Sequence, residues 1–188
     1  MDKQEIIKEI QGQIDTGRSA IWISYILYSG YWKTEMLKQN SAARIEIQSE
    51  KNLHVFEITE PRQIALRYED EKVAQSDSLN LFRLNISHML TQIFELIKNY
   101  SKVTNQYTKF QELSWFNFIR HVRNAFGHNY ILHWISSKEK PIFIQLKDRK
   151  LELNESMNGL ELDFDILPLP YCYEIAEIML NSFDKNLN

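Results

Sequence analysis

The densest chemistry in the chain lies in the run Phe118-Ile119-Arg120-His121-Val122-Arg123-Asn124-Ala125-Phe126-Gly127-His128-Asn129. Two arginines and two histidines fall within nine residues, at the end of a stretch whose other side chains are largely apolar. An apolar helix carries such groups at its end when that end faces water, a partner or a substrate. Histidine gives or takes a proton near neutral pH. Arginine holds a permanent charge on a planar fork that matches a phosphate.

The spacing constrains how these groups could cooperate. On a helix continued through His128, residues Arg120, Asn124 and His128 would share one face at i,i+4 steps. Arg123 and His128 would instead lie about 140° apart around the axis. Two arrangements bring them to one site. Gly127 could adopt the left-handed conformation, end the helix and swing His128 back over the last turn. Alternatively, two chains could pair this helix across a two-fold axis, so that each site collects groups from both.

The elements that must position these residues are legible in the apolar spacing. Ile6, Ile7, Ile10 and Ile14 predict a short amphipathic helix, broken at Asp15-Thr16-Gly17. A second helix is expected over Ser19 to Gln39, with an aromatic stripe of Trp22, Tyr25, Tyr28, Tyr31 and Trp32 that reads as core or dimer interface rather than a base-stacking platform. Ala43 to Ile47 and Leu53 to Ile58 predict a hairpin turning at Ser49 to Asn52, and Arg62 to Gln75 a polar helix after Pro61. Ser78 to Tyr100 is the clearest amphipathic helix, and Lys109 to Phe126 a second. Strands are expected at Ile142 to Leu146 and Leu160 to Phe164, around an Asn158-Gly159 loop, followed by a last helix over Tyr171 to Phe183. The fold class is therefore mainly α, a helical bundle with short antiparallel β-hairpins. The chain reads as a single domain over 1–188, with a hairpin insertion at 43–59 and a hairpin plus helix at 142–183.

Composition narrows the function classes. The net charge of −3 argues against indiscriminate coating of nucleic acid. Lys98 to Lys140 nevertheless holds seven Lys or Arg against two Glu, a local +5 on a body that sums to −8. A basic segment on an acidic body can engage a phosphate at one place; the plainer account is chance clustering on a solvated face. No apolar run reaches bilayer length and the charged N-terminus lacks an apolar h-region, so no membrane association is expected. Cys172 is the only cysteine, which rules out an intramolecular disulfide and a cysteine-based zinc site, and makes a reducing cytoplasm the simplest compartment. His121, His128 and His133 invite a metal reading, but no carboxylate or cysteine lies at ligand spacing. Neither a metal nor another cofactor is expected.

Arg123-Asn124-x-x-x-His128, late in a helical chain, resembles the Rx4-6H motif of the HEPN superfamily, in which the residue after the arginine is often Asn, Asp or His. The hairpin and short final helix that follow are similar to those of one group of small prokaryotic members. The resemblance covers Ile119 to Asn129 closely and Ser78 to Phe183 more loosely. It implies a helical core, a symmetric homodimer, and metal-independent RNA cleavage at the dimer cleft, often in toxins with a cognate antitoxin or in phage defence. On that basis Arg123, His128 and Asn124 are the catalytic candidates. Arg120, His121, Asn129 and Tyr130 are candidates for contacting RNA; for Arg120 and His121 the plainer reading is a solvent-facing helix surface. A second match, Arg83-Leu84-Asn85-Ile86-Ser87-His88, is set aside as solvated or structural because it is embedded in an ordinary amphipathic helix. The alternatives to a ribonuclease are a HEPN-like module that binds nucleotide or protein without cutting, and a non-catalytic dimeric structural protein.

Overall fold

The computed structural model describes residues 2–29, 43–48, 53–58, 70–134 and 141–188. The fold is mainly helical, with two two-stranded antiparallel sheets. The elements are α1 (Lys3–Ser29), β1 (Ala43–Gln48), β2 (Leu53–Ile58), α2 (Glu71–Val103), α3 (Tyr107–Gln111), α4 (Phe116–Gly127), β3 (Ile142–Gln145), β4 (Lys150–Leu153) and α5 (Leu169–Asn186). Two compact units are distinguished. One combines Met1–Arg18 with Leu84–Asn188, and the other is Ser19–Arg83.

In the second unit, β1 and β2 form the expected hairpin, with Ala43 opposite Ile58 and Gln48 opposite Leu53. Its turn, the distal part of the aromatic stripe (Tyr31, Trp32) and most of the polar helix expected at Arg62 to Gln75 lie outside the described residues. Trp22 is 68 % exposed and is not core.

The first unit holds the larger core. Ile6, Ile10 and Ile14 of α1 are buried, together with Ile86, Met89, Leu90, Ile93, Phe94 and Ile97 of α2. These positions recur every three or four residues, so each helix turns one apolar stripe inward. The break expected at Asp15-Thr16-Gly17 does not occur, and α1 runs on unbroken. Gly17 is buried, and a Cβ there would stand 2.8 Å from Met89 Sδ and 3.5 Å from the Tyr173 ring. This glycine serves close helix packing, not chain reversal.

The helix expected over Lys109 to Phe126 is divided, with non-helical turns between α3 and α4. Phe110, Trp115 and Phe116 are all buried against Phe94, at ring-centroid distances of 5.3, 6.3 and 5.8 Å. On a straight helix Phe110 and Phe116 would diverge by about 120°. The break lets all three rings reach one partner, and the aromatic burial outweighs the interrupted backbone ladder.

The partner of β3 is β4, not the segment Leu160 to Phe164. Ile142 faces Leu153 and Ile144 faces Leu151, with Ile144, Leu151 and Leu153 buried. The later segment contributes a single bridge, Glu161 to Ile131, before Asp163 Oδ1 accepts the amides of Asp165 and Ile166 in a turn. Helix α5 starts with Pro170 in its first turn and buries Cys172, Ile175, Ala176, Met179 and Phe183. Among the described residues, no helix is long and apolar enough to cross a membrane.

Candidate functional site

A groove of about 580 Å³ lies between α2 and the C-terminal end of α4, within the first unit. One wall is the α2 stripe Leu84, Ser87, His88, Thr91 and Gln92, at i, i+3, i+4, i+7 and i+8. The other wall is Arg123, Asn124, Phe126, Gly127 and His128. The α2 helix is thus two-faced: Ile86, Leu90, Ile93 and Ile97 enter the core while the polar stripe borders the groove. The volume falls in the range of about 300–1,000 Å³ usual for small-ligand sites.

The three catalytic candidates therefore border one groove in one chain. The turn that achieves this is not at Gly127, which remains helical. His128 caps the helix with φ −117° and ψ 46°, its amide donating to Ala125 O at 3.0 Å. The left-handed residues come next, Asn129 at φ 55° and Tyr130 at φ 64°. For Tyr130 that conformation costs about 1–2 kcal/mol. Pairing with a distant segment holds it: Leu162 N donates to Tyr130 O at 2.6 Å, and Leu132 N to Leu160 O at 2.9 Å.

Arg123 is fixed at the groove wall by two contacts. Its Nη2 lies 2.7 Å from Glu95 Oε1, and its guanidinium stands 5.5 Å from the centre of the Phe94 ring. Glu95 is also held by Lys98, at 2.9 Å to Oε2. Both partners of the Arg123 pair are partly exposed, 34 % and 27 %, so solvent screens their attraction and its main effect is orientation. Among the described residues, Arg123 Nε is buried without a hydrogen-bond acceptor, and the Phe94 ring beneath the guanidinium offsets part of that cost. His128 is exposed, its ring 5.0 Å from that of His133 and nearly perpendicular to it.

The residues expected to contact RNA fare differently. His121 is 3 % exposed and stacks on Trp134 at 4.6 Å, so its ring is packed into the fold and does not line the groove. The periodicity explains it: the neighbouring Val122 and Ile119 are also buried, so His121 sits on the inward side of α4. Arg120, Asn129 and Tyr130 do not line the groove. Tyr130 turns its ring edge-on to Phe126 at 5.7 Å. Conversely, His88 borders the groove although its Arg83 partner in the rejected motif match does not. The available signal was the polar run Ser87, His88, Thr91, Gln92 on one helix face, which local motif spacing does not reveal.

Cys172 is fully buried, and burial pushes its thiol up to about 12, far from any thiolate chemistry at neutral pH. Tyr173 is raised likewise to about 12, by burial and then by the neighbouring Cys172. No protein-family model matches the chain, and neither the curated proteins nor the solved structures include a significant match to it.

Proposed function

We propose that the protein is a HEPN-type endoribonuclease that cuts RNA without metal, working in the groove between α2 and α4 as a toxin or phage-defence effector. The observation that carries this is the convergence of Arg123, Asn124 and His128 on one groove. The described lining residues include no carboxylate, so the groups to hand are imidazoles, a guanidinium, amides and hydroxyls. A guanidinium stabilises charge on the non-bridging phosphate oxygens as it develops. An imidazole moves the proton that attack by the ribose 2′-OH requires, and that attack is intramolecular and so entropically favoured over attack by water. The products are a 2′,3′-cyclic phosphate and a 5′-OH. Asn124, half-buried beside Arg123, orients a phosphate oxygen or an imidazole.

The test is incubation of the purified full chain with total RNA, tRNA and a short RNA in EDTA, beside the Arg123→Ala/His128→Ala double variant. Cleavage by the wild type alone, with 5′-OH ends and no action on DNA, is the expected result. A 5′-phosphate product, or activity restored only by added metal, overturns the mechanism. Since one chain supplies both groups, the homodimer that the HEPN resemblance implies is not needed to assemble the pair. Light scattering of the active species at micromolar concentration decides whether it forms.

One observation favours a second reading, a non-cutting nucleotide- or protein-binding module. Glu95 occupies part of the Arg123 fork, as it would in a site that needs the arginine chiefly as a positioned surface. Saturable binding of a mononucleotide without any cleavage is its signature.

A further inference from the structure

We infer that His88 is a second proton-transfer group of this groove, acting with His128 on the same phosphodiester from the opposite wall. The inference rests on the ribonuclease reading and adds to it a residue from a different helix.

Transphosphorylation needs two proton transfers. One group takes the proton of the 2′-OH as the O2′–P bond forms. Another gives a proton to O5′ as the P–O5′ bond breaks. The net result is one proton moved from O2′ to O5′, with no change of oxidation state. Arg123 cannot serve as the base, because a guanidinium does not deprotonate in proteins, and it is a poor acid for the same reason. Among the described lining residues, His88 and His128 are the only imidazoles, the side-chain type suited to both giving and taking a proton.

Placement supports the pairing. In an in-line displacement the attacking and leaving oxygens lie on opposite sides of phosphorus, so base and acid belong on opposite walls. His88 comes from the α2 stripe and His128 from the end of α4, and Arg123 borders the same groove from α4. Both imidazoles are exposed, and neither is consumed by packing as His121 is. The charged or titratable groups around them are Arg123 with its Glu95 partner, and His133 beside His128. Ser87 and Gln92, one step away on the same stripe, supply hydrogen bonds to a ribose or base.

The experiment measures kcat and KM across pH for the wild type, His88→Ala, His88→Gln and His128→Ala on a short RNA in EDTA. His88 is exposed, so both variants should melt like the wild type, which a thermal scan checks. The inference expects a kcat lowered by about 10²–10⁴-fold in both His88 variants with KM little changed, and a two-limbed pH profile reduced to one limb. A His88→Gln variant that cleaves at the wild-type rate with both limbs intact, while His128→Ala is dead, overturns the role of His88 and leaves the ribonuclease reading standing. A wild type that leaves every RNA intact overturns both.

Discussion

Replacing Gly17 with alanine separates helix propensity from packing. In the middle of α1, alanine is favoured over glycine by about 0.8–1 kcal/mol. Against that gain, the new Cβ would stand 2.8 Å from Met89 Sδ, about 0.6 Å inside the 3.4 Å at which ordinary contact begins. Met89 is 1 % exposed and packed among the isoleucines of α1 and α2, so its sulfur has little room to retreat. Overpacking of this kind costs about 1–3 kcal/mol. The net expectation for Gly17→Ala is a loss of about 0–2 kcal/mol, or up to several degrees in Tm at about 2–4 °C per kcal/mol for a chain of this size. The decisive comparison is a double-mutant cycle in urea with Met89→Ala. That change alone costs about 2–5 kcal/mol, but it removes the obstacle, so Gly17→Ala added to it should stabilise by about 1 kcal/mol. A Gly17→Ala variant that stabilises the wild-type background as much as the Met89→Ala background would show that the glycine is not there for the close approach of α1 to α2.

Three further outcomes follow from the groove and the core. Arg123→Lys keeps the charge but loses the planar fork, and should lower kcat by about 10²–10³-fold while the chain stays folded; Arg123→Ala should also lose about 1 kcal/mol in urea unfolding through its Glu95 and Phe94 contacts. Equal kcat for wild type and Arg123→Lys would refute a fork-dependent role. Cys172, raised from 9.0 to about 12 by burial, stays protonated in the folded chain at pH values where the unfolded thiol has ionised. Its contribution to stability is therefore complete below pH 9 and should fall by about 1.4 kcal/mol per pH unit above it. Urea unfolding from pH 8 to 10.5 should show the wild type losing stability faster than Cys172→Ala, and parallel curves would contradict the burial argument.

The sequence was most informative where a single helix faces a single core. The stripes of α2, α4 and α5 announce themselves because burial selects apolar residues every three or four positions, and the α2 stripe did so even though the helix starts earlier than its apolar face. It misled where a residue type has two uses. Gly17 looks like a break until the sulfur of Met89 is seen against it, and Gly127 looks like a left-handed cap although Asn129 and Tyr130 carry the positive φ. The strand Lys150–Leu153 was passed over although Leu151 and Leu153 alternate with charged residues, because four residues give a weak period. The Arg123, Asn124 and His128 set was found from local spacing. His88 surfaced only as half of the match set aside, since its place opposite them depends on how two helices meet, and no spacing within one helix encodes that.

The parts of the α4 wall of the groove differ in when they can exist. Arg123 and Asn124 sit on α4, whose backbone bonds close within a few residues. His128 is followed by a turn that Tyr130 would leave if unsupported, and the support arrives from residues some thirty positions later, at Leu160 and Leu162. A chain still emerging during synthesis, or cleaved between these segments, should hold its arginine in place while His128 wanders. The amides of Leu132 and Leu162 are the reporters: slow exchange at both marks a completed site, and fast exchange at Leu162 with slow exchange along α4 marks a half-built one. The His128 end of the groove is thereby coupled to the docking of the segment around Leu160 and Leu162, far along the chain from the helix that carries Arg123.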